Sequence, residues 1–505
     1  MTERAAGLLL HPTSLPGPLG IGSLGRDAEA FLDWAVAGGQ SVWQVLPLGP
    51  TGLGNAPYGC LSSFAGNPFL ISLERMVDRG YLPHSALEEA PRFPEDRVDY
   101  ARIAAWKRTA LRRSWENFRR HGSRQDVLEL EAFVNEDAQR EWLEDWVLFS
   151  ALRRHFDGRA WVTWDRELAQ REPEALVSAR RALADEIAYH RYLQFLFFAQ
   201  WGRVKRAAGE RGILVLGDLP IYVAYDSADV WANAHLFDLD PEGHPRHVSG
   251  VPPDYFSDTG QLWGNPLYRW DRMKEEGYAW WIARMRGALR LSDLVRLDHF
   301  RAFESYWEVP VQDRTAVNGR WVLGPGASLL EALRTSLGRL PLVAEDLGTI
   351  TAEVRTLREE FGLPGMKVLQ FAFTDPTSDH LPSRHEPESV VYTGTHDNDT
   401  TRGWFANLGE GERALVLGHF GSDGSEIEWN MIRAAYESEG RLVVIPVQDV
   451  FGLGSEARMN TPGRSEGNWS WRARKDLFRP ELAARLRRMV EETGRLPAVR
   501  LSEER

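Results

Sequence analysis

Carboxylates recur in this sequence where an apolar run gives way to polar chain: Asp218, Asp298, Glu345 with Asp346, Asp397 and Asp449. One acidic residue at a strand end is ordinarily a turn former or helix cap. Acidic residues at so many ends are a different matter, because like charges gathered in one place repel unless a ligand or a cation offsets them. Oxygen-rich clusters can hold magnesium or calcium. None of these segments has a regular ligand spacing, however, and basic side chains lie beside them, Arg296 and His299 next to Asp298 and His396 next to Asp397. Those cations can do a metal's electrostatic work, so no metal site is assigned. Paired carboxylates have another use, the cleavage of a glycosidic bond.

The stretch "LVRLDHF" (294–300) shows how two such groups can be set apart. On a strand, residues i and i+2 share a face, so Arg296 and Asp298 point together while Leu297 packs the other way. A guanidinium alongside holds a carboxylate ionised and fixes its orientation, as a nucleophile requires. Glu345 follows the apolar "PLVA" and belongs in drier surroundings, where it starts as the acid. Its pKa then has to rise from about 4.3 to about 6, roughly 2 kcal/mol, which the charge of Asp298 plus partial burial supplies. Esterification of Asp298 removes that charge, and Glu345 can then serve as base. In "THDNDT" (395–400), His396 and Asp397 sit at a strand end, placed to hydrogen-bond the hydroxyls of a distorted sugar ring. Asp399 or Thr400 caps the helix that follows.

The elements that must position these groups are short apolar runs at 5–14, 41–50, 212–223, 294–300, 341–348, 366–373, 389–398 and 441–452. They lack clean alternation, as strands covered on both faces do, and helical patterns lie between them. "RDAEAFLDWAVAGG" (26–39) reads as a helix ending at a glycine pair, and "TAEVRTLREEFG" (351–362) as one capped by Thr351 and stopped by Gly362. Eight strands alternating with helices predict a (β/α)8 barrel of the α/β class with helical and loop insertions, whose strand ends open on one face. A doubly wound sheet shows the same local pattern. Residues 1–71 carry strands one and two, 72–205 a helical insertion, and 206–505 strands three to eight with an inserted active-site region at about 224–290. Within the latter, "SGVPPDYFSDTGQLWGNPLY" (249–268) reads as an ordered loop overhanging the site.

Composition narrows the function classes. Lys and Arg number 60 against 72 Asp and Glu, a net charge of −12, which argues against nucleic acid as partner. The single Cys60 rules out an intrachain disulfide or a cysteine-based metal cage. No apolar run is long enough to span a bilayer and the N-terminus lacks a signal-peptide pattern, so a cytoplasmic protein with no membrane partner is expected. The 20 Trp outnumber the 13 Tyr and 8 Met, and broad rigid faces with an N–H handle suit sugar rings, although most tryptophans pack in cores. "GIGSLG" (20–25) matches a dinucleotide fingerprint, yet a proline-containing segment separates it from the preceding apolar run. It reads as a glycine-rich helix entry.

The sequence resembles the amylomaltases (4-α-glucanotransferases, or disproportionating enzymes), family 77 of the glycoside hydrolases in the α-amylase clan. The likeness runs over nearly the whole chain: "LHPTSLPGPLGIGSLG" (10–25), "GPTGLGNAPYG" (49–59), "FAGNPFLISLE" (64–74), "GDLPIYVAYDSADVW" (217–231), "GVPPDYFSDTGQLWGNPLY" (250–268), "RLDHFR" (296–301), "AEDLG" (344–348), "THDNDT" and "NTPG" (460–463). It implies a retaining α-1,4-glucan transferase working by double displacement, with Asp298 as nucleophile, Glu345 as acid/base and Asp397 stabilising the distorted ring. Arg296, His299 and His396 would contact the sugar at the cleavage point, with Asp218 beside them. Asp254, Gln261 and Trp263 would lie along the glucan on the overhanging loop, and Tyr58 at neighbouring subsites. Substrates would be malto-oligosaccharides, amylose or glycogen-type glucans, with no cofactor and a monomeric chain. Leu53, Asn55 and Ala56 depart from the family's more usual Tyr, Asp and Ser, a difference that touches the acceptor side and leaves the three carboxylates unaltered. An α-glucan hydrolase would use the same carboxylates, and a catalytically silent glucan binder would need none of the three.

Overall fold

The computed structural model describes residues 3–253, 257–373, 375, 377–464 and 466–496, apart from the Leu53 side chain. Its strands are β1 (Ala5–Leu9), β2 (Val42–Gln44), β3 (Leu214–Leu219), β4 (His247–Val251), β5 (Gln261–Pro266), β6 (Leu294–Leu297), β7 (Ser305–Pro310), β8 (Arg320–Leu323), β9 (Leu342–Ala344), β10 (Gly365–Val368), β11 (Ser389–Tyr392) and β12 (Leu442–Pro446). Eight of them form one parallel sheet in the order β10-β11-β12-β1-β2-β3-β6-β9. The first strand pairs with both the second and the last of the set, which a doubly wound sheet does not do. The predicted barrel is therefore present, with its eight strands in the predicted order.

The remaining junction, β9 to β10, is closed without a ladder. Ala344 N–H donates to the Pro364 carbonyl at 2.9 Å, and Met366 N–H donates to Asp346 Oδ1 at 2.7 Å. Arg358 Nη1 holds the other oxygen of Asp346 at 3.0 Å. Asp346 thus stitches the barrel shut. Asp449 is likewise structural: it is buried and accepts from Thr393 Oγ1, Thr401 N and Thr401 Oγ1 at 2.6, 2.7 and 2.8 Å. Asp346 satisfies a free N–H of β10 and Asp449 the first N–H of the helix Thr401–Asn407, so both carboxylates are held by structural partners.

The helix over Arg26–Ala37 ends at Gly38 and Gly39, and Thr351 and Gly362 bracket the helix Ala352–Glu360 as the sequence predicts. Between β2 and β3 the chain is helical, and its last helix, Ala184–Glu210, runs unbroken across position 205 onto the barrel wall. The glycines of "GIGSLG" are required by packing: a Cβ on Gly20 would lie 2.3 Å from the Phe93 ring, and one on Gly22 2.0 Å from the Pro12 carbonyl.

The region read as an overhanging loop is built differently. Its ends are β4 and β5, which join β7 and β8 in a four-stranded antiparallel sheet of order β5-β4-β7-β8. Gly and Pro made 249–268 look like loop, but β4 is hydrogen-bonded on both sides, to β5 and to β7 more than fifty residues on. Pro266 sits at the end of β5, an edge strand, where a missing N–H does no harm. Among the described residues no helix is long and apolar enough to cross a membrane.

Candidate active site

The end of β6 supplies the centre. Arg296 and Asp298 do lie together, Nη1 to Oδ1 at 2.9 Å, while Leu297 is buried in the core. The same Nη1 also reaches both oxygens of Asp218, on β3, at 2.8 and 2.9 Å. One fully buried guanidinium therefore bridges two carboxylates, leaving the Asp298 side chain 27% exposed and that of Asp218 at 0%. Burial pushes the Asp218 carboxyl upward, opposed by Arg296. The remaining Asp218 oxygen contact comes from Tyr58 Oη, which donates to Oδ2 at 2.7 Å.

Directly after Asp298 the backbone turns sharply. His299 has φ 52° and ψ 50°, a left-handed conformation uncommon outside glycine, and strain of this kind collects at working sites. The turn aims the His299 N–H at Glu345 Oε2, 2.6 Å away, and Leu347 N–H meets Oε1 at 3.0 Å. Glu345 is buried, and its carboxyl is pushed up to about 8. Burial is the leading cause, Arg296 pulls the other way, and the negative charge of Asp298 adds to the rise only after these. Both causes expected from sequence, burial and the Asp298 charge, act in the expected direction, and the rise exceeds the expected value of about 6. The surrounding protein also desolvates the half-buried His299, which lowers its pKa to about 4 and leaves it neutral at pH 7.

Strand β11 brings the third carboxylate. The His396 ring stacks on Tyr58, centroids 4.9 Å apart at 18°, and its Nε2 lies 3.4 Å from Asp397 Oδ2. The Asp397 side chain is 45% exposed, so it faces the open mouth. Thr400 caps the following helix by accepting from Gly403 N, whereas Asp399 accepts from Ser455 Oγ at 2.6 Å. On the opposite side β5 contributes Trp263, which is 38% exposed and meets the His299 ring edge-on at 4.7 Å. Trp263 Nε1 donates to Gln261 Oε1 at 3.2 Å. Tyr58, Asp218, Gln261, Trp263, Arg296, Asp298, His299, Glu345, His396 and Asp397 are thus linked in one mouth; Asp254 lies outside the described residues. Trp263 and Trp321 are the exposed tryptophans among those residues, and most of the others are core.

Sequence reasoning missed three contributors. Asn460 Nδ2 donates to Asp397 Oδ1 at 2.6 Å, and Arg458 Nη2 donates to the Asp397 carbonyl at 2.6 Å. Trp469, with φ 62°, packs its ring 5.8 Å from both Tyr58 and His396. Asn460 alone falls in a motif singled out from sequence, "NTPG" (460–463), which gives no hint of its partner; Arg458 and Trp469 lie outside it. No group of three or more His, Cys, Asp or Glu among the described residues could hold a metal ion.

A geometry of this kind invites comparison with known proteins. The family model for 4-α-glucanotransferase matches residues 10–477. The 4-α-glucanotransferase of Thermus thermophilus is 51% identical over 98% of this chain and 99% of its own, and that of Synechocystis is 50% identical over the same shares. The chloroplastic/amyloplastic enzyme of Solanum tuberosum is 45% identical over 98% of this chain and 87% of its own. Among solved structures, the amylomaltase of Streptococcus agalactiae in complex with acarbose superposes with a TM-score of 0.94 at 36% identity, covering 98% of this chain and all of that one. With identity this high over the full barrel, and with the resemblance read from "RLDHFR", "AEDLG" and "THDNDT" borne out, the chain belongs to the 4-α-glucanotransferases, glycoside hydrolase family 77.

Proposed function

We propose that the enzyme, an α-1,4-glucan transferase, disproportionates malto-oligosaccharides and longer α-glucans through a glycosyl ester on Asp298. The observation that carries this reading is the contrast between two neighbouring carboxyls. Asp298 is partly open and has the Arg296 guanidinium as charge partner at 2.9 Å, whereas Glu345 is buried with its carboxyl raised to about 8. An open carboxylate with a cation beside it suits the nucleophile, and a buried carboxyl that keeps its proton suits the acid.

In the first step Asp298 attacks the anomeric carbon as Glu345 gives its proton to the departing glucan oxygen. The bond to the leaving chain breaks with its electron pair on that oxygen, and the anomeric carbon is left esterified. Esterification removes the negative charge of Asp298 from beside Glu345, which is then anionic and takes the proton of the incoming hydroxyl. Asp397, with His396 beside it, holds hydroxyls of the distorted ring, and Tyr58 meets the ring's other edge, while Asp218, with its side chain fully buried, holds Arg296 and Tyr58 in place.

Either water or a sugar hydroxyl can end the reaction. Water is present at about 55 M, but an oriented acceptor can reach an effective molarity of order 10⁵ M or more. The exposed Trp263 ring beside neutral His299 supports an acceptor platform that supplies this hold. Incubation with maltotriose tests the reading: redistribution into shorter and longer glucans at constant reducing ends is expected, and rising reducing ends without longer products would make the enzyme a hydrolase.

A further inference from the structure

Segment 458–460 makes three hydrogen bonds to the chain just past β11, each falling on Asp397 or His396, and a fourth braces the segment internally. Asn460 Nδ2 donates to Asp397 Oδ1 at 2.6 Å, and Asn460 N–H donates to the His396 carbonyl at 3.1 Å. Arg458 Nη2 donates to the Asp397 carbonyl at 2.6 Å, and its Nε donates to the Asn460 carbonyl at 2.7 Å. A carboxylate has no proton to give, so the Asn460 side chain must present its amide nitrogen there. The segment is itself held, since Trp469 N–H donates to the Met459 carbonyl at 2.7 Å and Tyr100 Oη donates to the Trp469 carbonyl at 2.9 Å.

We propose that Asn460, backed by Arg458, is a positioning residue for the glucan-transfer reaction: it holds the Asp397 carboxylate in the rotamer that meets the distorted sugar ring. The inference rests on the reading of Asp397 as the ring-stabilising group. The physical case lies in what Asp397 lacks. It is the most exposed of the three carboxylates, its side chain 45% open against 27% for Asp298. An exposed carboxylate on two rotatable bonds samples several rotamers, and its hydrogen bonds to a sugar count only if they are in place when the transition state forms. His396 Nε2, at 3.4 Å, is too far to fix it alone. The charge-assisted contact from Asn460 is the short one. The other oxygen of Asp397 is left for the substrate.

The test is a double-mutant cycle on fluoride release from α-maltosyl fluoride, read in single turnovers. Asn460→Ala should slow ester formation about 10- to 100-fold, with donor KM changed less than about threefold. In an Asp397→Ala background the same substitution should slow it less than about threefold, because nothing is left to orient. An equal loss in both backgrounds, or no loss in the first, overturns the proposal. Should Asn460→Ala melt more than about 5 °C lower, Asn460→Ser, which is uncharged and keeps the backbone contacts, carries the same cycle. The outcome for Asp397→Ala alone separates the two readings. If that variant stays within about tenfold of the parent, the role of Asp397 is wrong; if it is crippled while Asn460→Ala is not, only the positioning role fails.

Discussion

Arg296 Nη1 stands 2.9 Å from Asp298 Oδ1 and 2.8 Å from Asp218 Oδ1, so the group that positions the nucleophile is itself positioned by a second, fully buried carboxylate. The relationship ties β6 to β3 through one guanidinium nitrogen at the end of a long side chain, and a lysine places its more strongly hydrated ammonium short of that point. Arg296→Lys should lower kcat on maltotriose by roughly 10²–10³-fold, the usual loss when a preorganised charge contact is removed. Arg296→Met should in addition destabilise the fold by about 3–5 kcal/mol, because Asp218 is left buried and unpaired. Denaturant titration checks the second value, and an unchanged midpoint would show that Asp218 finds another partner.

Burial of Glu345 has a signature in pH. Its carboxyl lies at about 8 in the folded chain against 4.5 for an unperturbed one. Between those values the folded chain keeps a proton that the unfolded chain releases. Stability from this group therefore falls as pH rises from about 4.5 to about 8 and is level on either side. The melting temperature of Glu345→Gln minus that of the parent should climb across the same window, by an amount equivalent to a few kcal/mol at about 1.4 per unit. A difference that is flat with pH would mean that Glu345 titrates as an ordinary surface carboxylate.

Ester formation from natural glucans should fall above pH about 8, when Glu345 loses the proton it must give. With α-maltosyl fluoride, whose leaving group needs no acid, that alkaline limb should vanish from the first step. Stopped-flow fluoride release across pH 6–10 (an interval set by the roughly two units either side of that pKa) makes the comparison. A limb shared by both donors would assign it to another group.

Much of this was legible in the sequence, and for physical reasons. Strands covered on both faces must be apolar throughout, so all eight barrel strands stood out as runs, and the two-residue period of a strand put Arg296 beside Asp298. Glu345 and Asp346 were harder to separate. They are adjacent, and only the partners of Asp346, Met366 N and Arg358, reveal it as the closure of the barrel. The antiparallel sheet escaped because β4 finds one of its two partners, β7, across the intervening β6, where no local pattern records the pairing. Asn460 and Trp469 escaped for the same reason: each acts on a residue more than sixty positions away.

Trp263 tests the acceptor side. Its ring is 38% exposed and braced edge-on against His299. On the scale of stacking in nucleic acids, ~1–3 kcal/mol per ring, Trp263→Ala should weaken acceptor use roughly 5- to 150-fold. Free glucose release should rise relative to chain transfer, while the first step slows less. An unchanged ratio would assign Trp263 to structure and place the water-excluding surface elsewhere.

The nucleophile is accessible to the plainest substitution. Asp298→Asn should keep the fold and bind maltotriose yet lose nearly all turnover, because an amide does not form the ester. Substantial activity in a preparation shown by mass spectrometry to be free of deamidated chain would remove Asp298 from the role.

The central claim is that a glycosyl ester forms on Asp298 and is discharged with help from Glu345. Glu345→Gln incubated with α-maltosyl fluoride isolates that ester, since the first step needs no acid and the second has lost its base. Peptide mapping by mass spectrometry should find the maltosyl adduct on the peptide containing Asp298, accumulating toward one per chain. No adduct while fluoride is released, or an adduct on a peptide other than that of Asp298, would contradict the account.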